Sequence, residues 1–181
     1  MGNTILLING SLREGSTNGA TLQTASVLAP PGTQPVLYDG LGALPHFNPD
    51  IEQGVLPEPV VALRALLRAA DAVLFSTPEY AGALPGSFKN LLDWSVGDGL
   101  HAKPVGWVNA SAHAGGAENA HAMLRTVLGY VNADVVEAAC VRAQVRRDAI
   151  GADGTVTDPV AREVIGAAMR ALVAHVVQLR A

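Results

Sequence analysis

Short apolar runs recur along the chain, and stretches of helical periodicity or polar, glycine-rich loops separate them. The first run, residues 4–9, is continuous and ends at Gly10-Ser11, which is typical of a strand buried on both faces of a sheet. Four later runs have the same character. The pattern therefore predicts five buried strands, at residues 4–9, 35–38, 72–76, 104–109 and 135–141.

Segments between and after these runs predict five helices. Ser16 or Thr17 can cap the first helix, and Asp158 can cap the last, with Pro159 at its first helical position. The helices are expected from about residue 16 to 28, 58 to 70, 85 to at least 94, 117 to 130, and from 159 onwards.

Two of these helices are predicted to bury one apolar face each. The longer segments 39–57 and 142–157 are rich in glycine, proline or polar residues and are expected to be loops. The predicted buried positions are Val60, Leu63, Leu67 and Ala70 in the second helix, and Val160, Val164, Ala168, Leu172 and Val176 in the last.

The alternation of buried strands and helices predicts the α/β class, with a doubly wound parallel sheet covered by helices on both faces. Sheets of this kind bind ligands outside the carboxyl ends of their strands. No repeat, linker or low-complexity tract divides the sequence, so we expect residues 1–181 to form one domain. The loops after the first, third and fourth strands are the places to look for function.

Composition narrows the possible partners. Charged residues make up only 15% of the 181 residues, which predicts that part of the surface is buried against another subunit. The net charge is −4 and Lys89 and Lys103 are the two lysines, so we expect neither nucleic acid nor an anionic membrane as a partner.

The single cysteine, Cys140, excludes an intramolecular disulfide and a multi-thiolate metal site. It lies in an apolar run and is expected to be a small buried hydrophobe. The histidines share no metal-ligand spacing with each other or with nearby carboxylates, so no metal is predicted. No segment has the apolar length of a membrane span, and the first residues carry no signal-peptide pattern, so a cytoplasmic protein is expected.

The loop after the first strand contains small and hydroxyl-bearing residues and leads into a helix. Its backbone amides and the positive end of that helix favour an anion, and Arg13 could contact two phosphate oxygens. It matches neither a Walker A motif nor the dinucleotide G-x-G-x-x-G, so a terminal phosphate monoester fits best. The alternative is a polar turn that caps the helix. The candidate residues are Ser11, Arg13, Ser16, Thr17 and Asn18.

Two further loops could approach a planar ligand. Residues 77–86, after the third strand, are stiffened by two prolines and two glycines. Tyr80 could line a ligand, pack on a dimer partner, or do both. Residues 109–118, after the fourth strand, are small and include Gly115 and Gly116. His113 in this loop could hydrogen-bond a ligand or act as an acid, although a solvated histidine is the more common case.

These loops resemble those of the NADPH-dependent FMN reductase family, which includes chromate, quinone and azo-dye reductases of flavodoxin-like fold. The resemblance covers most of the chain up to about Tyr130. Gly115-Gly116 and Leu124-Arg125 fit the segment after the fourth strand. The two motifs that match are Gly10-Ser11-Leu12-Arg13 with Ser16 and Asn18, and Thr77-Pro78-Glu79-Tyr80 with Gly82, Pro85-Gly86, Lys89-Asn90 and Asp93-Trp94.

The resemblance implies strand order 2-1-3-4-5, FMN as cofactor, and a homodimer or homotetramer built partly on the helix of residues 88–94. It also implies that the first loop holds the FMN phosphate. Ala81 departs from the family, which usually has Asn there, and His113 is not a family residue. The residues that would surround the ring are Pro78, Glu79, Tyr80, Ala81 and Gly82 on one side, and Ser111, His113, Gly115 and Gly116 on the other.

The function expected from this resemblance is hydride transfer from NADPH or NADH to FMN, and then electron transfer to a small acceptor. A quinone, chromate, an azo compound and free flavin all remain possible acceptors. The flavin would do the chemistry, so no catalytic acid–base pair is required. The alternative is a non-enzymatic electron carrier of flavodoxin type. Carriers usually surround the ring with aromatic residues, and this chain offers only Tyr80 there.

Overall fold

The computed structural model describes residues 2–180 and contains a five-stranded, all-parallel sheet of order β2-β1-β3-β4-β5. All five predicted strands are confirmed, with ends shifted by at most two residues. β1 pairs with β2 on one side and β3 on the other, so the strand order reverses beside β1. The strands are β1 (Asn3–Asn9), β2 (Thr33–Tyr38), β3 (Ala72–Ser76), β4 (Pro104–Asn109) and β5 (Asp134–Arg142).

Helices cover both faces of the sheet, as predicted. Ser16 caps α1, because its Oγ accepts the N–H of Gly19 at 3.0 Å. Asp158 caps α6 in the same way, accepting the N–H of Ala161 at 2.8 Å. The helices are α1 (Thr17–Val27), α2 (Pro49–Glu52), α3 (Glu58–Ala69), α4 (Gly86–Trp94), α5 (Glu118–Tyr130) and α6 (Pro159–Leu179).

The apolar core forms two layers, one on each face of the sheet. Helices α3, α4 and α5 pack on one face around Phe75, Phe88 and Trp94, which are fully buried. Helices α1 and α6 pack on the other face, where Leu22 and Met169 are fully buried. Because helices cover both faces of the sheet, a ligand can reach the sheet only at the ends of its strands.

The buried face of α6 differs from the prediction. Val160 is 71% exposed and Val164 is only partly buried, whereas Ala161, Ile165 and Met169 lie in the core. Apolar residues of α6 extend to both sides of the predicted buried face. Helical periodicity alone therefore could not determine which of them face the sheet. The predicted burial of Ala168, Leu172 and Val176 is confirmed, and so is that of Val60, Leu63, Leu67 and Ala70 near α3.

The two segments predicted as loops contain short ordered elements. Residues 39–57 include a 3₁₀ turn at Leu41–Ala43 and helix α2, which Asn48 caps. Residues 142–157 include a 3₁₀ turn at Arg147–Ala149 and an antiparallel bridge between Ile150 and Val156. Tertiary contacts stabilise these pieces, which are too short for a periodicity to reveal.

Strand β5 is irregular beside β4. Val105 pairs with Val135, but Trp107 pairs with Cys140, so the register shifts between them. Cys140 is half-buried and packs against the α5 side of the core, and burial raises the pKa of its thiol to about 11. Cys140 is thus partly buried rather than fully buried, and its thiol form is favoured over the thiolate. No helix within residues 2–180 has the length and apolarity needed to cross a membrane.

Candidate functional site

The loops after β1, β3, β4 and β5 meet at one edge of the sheet, where the strand order reverses. A cavity of about 420 Å³ opens between them and contains residues from all four loops. Six of the predicted site residues line this cavity: Thr17, Asn18, Pro78, Glu79, Ser111 and His113. The other lining residues are Thr77, Ala110, Ala112, Ala117, Val145 and Arg147.

The amino end of α1 supplies hydrogen-bond donors to this cavity. Thr17 and Asn18 are the first two residues of α1, and among residues 2–180 their backbone N–H groups have no acceptor. The buried hydroxyl of Ser76 lies 2.9 Å from the side-chain amide of Asn18 and 2.8 Å from the carbonyl oxygen of Val108, so Asn18 is held in place at the cavity. These unpaired donors and the positive end of the helix favour an anion.

Arg13 and Ser16 lie on the other side of the same loop. They line a neighbouring cavity of about 440 Å³ together with Asp153 and Gly154. Arg13 is exposed, and within the described part of the chain it has no ion pair. Both cavities border the start of α1, so an anion at this helix end can be approached from either side.

Ser11 is buried and organises the turn after β1. Its Oγ accepts the N–H of Arg13 at 3.2 Å, and its own N–H donates to Asn9 Oδ1 at 3.0 Å. It lines neither of the two cavities. Its hydroxyl proton is still free to donate to a ligand bound against the loop.

Glu79 connects the loop after β3 to helix α5. Its Oε2 accepts the N–H of Ala120, in the first turn of α5, at 3.0 Å. The N-cap residue of α5 is Ala117, which has a left-handed φ of 61° and no side-chain acceptor. Glu79 therefore caps a helix that lacks a cap of its own, and its negative charge suits the positive helix end.

Tyr80, Ala81 and Gly82 form an exposed tight turn beside the cavity rather than part of its lining. Tyr80 and Ala83 exchange two backbone hydrogen bonds, of 3.0 and 3.1 Å. The two central residues both have positive φ, 51° at Ala81 and 73° at Gly82, which is the geometry of a type I′ turn. Asn-Gly is the preferred pair in such a turn, so alanine at position 81 costs backbone stability.

The loop after β4 is held in a compact form. The side chain of Asn109 accepts the N–H of Ser111 at 3.0 Å and donates to the carbonyl of Gly116 at 3.0 Å. A Cβ atom on Gly116 would clash with the side chain of Ser111, so the loop packs tightly against this glycine. Gly115 has a φ of 76°, and His113 is exposed at the cavity mouth.

His121 lies behind this loop, in the second turn of α5. Its Nδ1 is 2.6 Å from the carbonyl oxygen of Ala117, and its ring packs near Trp107. Burial lowers its pKa below the ordinary histidine value, so the neutral form is favoured. With Nδ1 protonated and donating to Ala117, the imidazole stabilises the left-handed residue at which α5 begins.

Arg147 is a site residue that the sequence analysis did not identify. It belongs to the segment that was predicted to be a plain loop, yet it lines the same cavity as Thr17 and Asn18. A signal was present: Arg146 and Arg147 follow β5, whose carboxyl end lies at the same edge of the sheet.

A larger cleft, of about 630 Å³, lies between the end of β5 and the start of α6. Ala112 and His113 line both this cleft and the 420 Å³ cavity, so the two adjoin. Of the predicted site residues, however, the large cleft contains only His113. We therefore take the smaller cavity as the candidate site. Across residues 2–180, no three His, Cys, Asp or Glu side chains come together as a metal would require.

Comparison with known proteins gives consistent matches. The sequence model of NADPH-dependent FMN reductase matches residues 3–145. An NAD(P)H-dependent FMN reductase of Pseudomonas aeruginosa is 36% identical over 179 residues, covering 97% of this chain and 96% of that protein. A quinone reductase of Escherichia coli is 32% identical over 136 residues, covering 73% and 72% respectively.

A solved structure agrees with these matches. The flavoenzyme NAD(P)H:(acceptor) oxidoreductase of Paracoccus denitrificans superimposes with a TM-score of 0.85 at 30% identity. The superposition covers 97% of this chain and 98% of that protein. The expected flavodoxin-like fold, with its strand order, is confirmed by the sheet and by this neighbour.

Proposed function

This chain belongs to the NADPH-dependent FMN reductase family, and from that premise we propose that it reduces a small quinone-class acceptor. It is an oxidoreductase that uses FMN and NAD(P)H, as its relatives are. One observation supports the location of the chemistry: a single cavity collects the start of α1, the loop after β3 and the loop after β4. These are the three loops that carry the sequence motifs.

The donor set at the start of α1 fits the phosphate of FMN. The backbone N–H groups of Thr17 and Asn18 lack acceptors among residues 2–180, and both residues line the cavity. A phosphate monoester carries close to two negative charges and only acceptor oxygens, so it needs such donors. Ser11 and Ser16 offer hydroxyl protons, and Arg13 offers a guanidinium from the neighbouring cavity.

The two other loops fit the flat ring of the flavin. Pro78 and Glu79 line one side of the cavity, and Ser111 and His113 line another. Glu79 keeps the loop after β3 next to α5 through its bond to Ala120, so the spacing between the two loops is fixed. Because the gap between the loops is already formed, a planar ligand can enter it with little free-energy cost for ordering the loops.

The chemistry comes from the cofactor. Bound FMN would supply the redox chemistry that links a reduced nicotinamide to the acceptor. The residues of this chain would hold the phosphate at the start of α1 and the ring between the loops after β3 and β4. Tyr80 and the turn that follows it are exposed at the cavity edge, where they can shape the opening or contact a second subunit.

A quinone is the proposed acceptor because a relative of that activity is 32% identical over 136 residues. We further propose a cytoplasmic homodimer. The low content of charged residues and exposed apolar side chains such as Tyr130, 82% exposed, favour a protein–protein contact. Light scattering on the purified protein tests this, and a monomeric mass would contradict it.

Steady-state kinetics test the proposed function. Protein saturated with FMN should oxidise NADPH or NADH when a benzoquinone is added, and faster than with chromate, an azo dye or free FMN. Nicotinamide oxidation that is no faster with a quinone than without an acceptor would refute the quinone assignment. An electron carrier would show almost no nicotinamide oxidation with any acceptor.

A further inference from the structure

We propose that Arg147 is a second cation for the FMN phosphate, supplied from outside the motifs that define the family. This inference rests on the proposed function, since it assumes that FMN binds in the 420 Å³ cavity. Arg147 lies beyond residues 3–145, the part of the chain that matches the family. Three observations support its role: its position at the cavity, the attachment of its segment to α1, and its unpaired charge.

The position of Arg147 is fixed by a hairpin that follows β5. Residue 147 begins a 3₁₀ turn, and the hairpin after it is closed by the bridge between Ile150 and Val156. The backbone N–H of Val156 donates to Thr24 Oγ1, in α1, at 2.8 Å, and both groups are buried. The hairpin is therefore attached to the carboxyl half of α1, and Arg147 lies on the segment that leads into it.

The charge of Arg147 is not neutralised by its neighbours. Arg146 and Asp148, on either side, pair with each other through two hydrogen bonds of 3.0 and 2.8 Å. Among the residues from 2 to 180, Arg147 has neither an ion pair nor a side-chain hydrogen bond. A guanidinium that lines a cavity and has no protein partner is available for an anionic ligand.

The lining of the cavity makes this cation important. The described lining of the 420 Å³ cavity contains one carboxylate, that of Glu79, and one guanidinium, that of Arg147. The Glu79 carboxylate is already bonded to Ala120. Thr17 and Asn18, whose backbone N–H groups are unpaired, line the same cavity as Arg147. An anion bound to these N–H groups would therefore lie in the cavity that Arg147 also lines.

Arg13 and Arg147 then have complementary positions. Arg13 lines the cavity on one side of the start of α1, and Arg147 lines the cavity on the other. A phosphate monoester has three terminal oxygens, enough for the helix N–H groups and for guanidinium contacts from either side. Only Arg13 lies within a sequence motif, so only this cation was predictable from the motifs.

The test compares FMN with riboflavin, which has the same ring and lacks the phosphate. Apoprotein is titrated with each ligand by flavin fluorescence, for the parent protein and for Arg147→Met, Arg147→Lys and Arg146→Met. Arg147→Met should weaken FMN binding about tenfold and leave riboflavin binding unchanged. Arg147→Lys should keep part of the affinity, and the ion-paired neighbour Arg146→Met should change neither ligand.

Two results would overturn the inference. Unchanged FMN affinity in Arg147→Met would show that this guanidinium does not contact the phosphate. Equal losses for FMN and riboflavin would assign it to the ring or to the shape of the loop instead. Failure of the parent protein to bind FMN at all would contradict the proposed function, which is a separate outcome. Since Arg147 is exposed, circular dichroism should confirm that its variants fold.

Discussion

Replacing Ala81 with asparagine should stabilise the protein, because this residue occupies an unfavourable backbone conformation. Its φ is 51°, in the left-handed region, at the first central position of the turn between Tyr80 and Ala83. An L-residue with a Cβ loses about 1–2 kcal/mol there, and asparagine tolerates the region best among residues other than glycine. Ala81 is exposed, so the larger side chain displaces only solvent.

The expected gain in the free energy of unfolding is about 1 kcal/mol, which for a chain of this size raises Tm by roughly 2–4 °C. Thermal unfolding of the apoprotein, followed by circular dichroism, measures it. Ala43→Asn is the matched control, since Ala43 is exposed and does not have a positive φ. A lower Tm for Ala81→Asn, or equal shifts in both variants, would refute the type I′ geometry.

The remaining predictions concern the loops around the cavity. Glu79→Ala should cost about 1 kcal/mol by removing the cap on Ala120, and Glu79→Gln less, in urea unfolding; equal losses would contradict a charge effect. Gly116→Ala should lower the free energy of unfolding in urea because its Cβ would clash with Ser111, and Ser111→Gly in addition should restore it; no loss of stability would contradict the clash. For His121 the folded-state pKa is lowered, so the unfolded chain binds more protons. Stability should therefore fall as pH drops through about 6.5, and less so in His121→Gln; identical pH profiles would refute this.

The sheet and the motif loops were predictable because each depends on residues that are close in sequence. The runs that form β3 and β4 are continuous and apolar, so even their ends were predicted correctly. Ser16 and Asp158 are polar residues immediately before a helix, which is a local signal for capping. The order of the strands came from the resemblance to a family rather than from periodicity.

Other features depend on contacts between distant residues. The segment that carries Arg147 is held against α1 by a hydrogen bond between Val156 and Thr24, which are 132 residues apart in the sequence. The backbone strain at Ala81 depends on a turn geometry that residue types alone do not specify. The orientation of α6, with Val160 outside and Ala161 inside, is decided by packing against the sheet. Features of this kind are determined by the three-dimensional structure and cannot be predicted from local sequence.

The most direct test is a crystal structure of the protein with FMN. The phosphate should lie against the N–H groups of Thr17 and Asn18, with the ring between Pro78 and the loop that contains Ser111 and His113. A flavin bound in the larger cleft between β5 and α6, or anywhere away from the start of α1, would contradict this placement and the roles assigned to these residues.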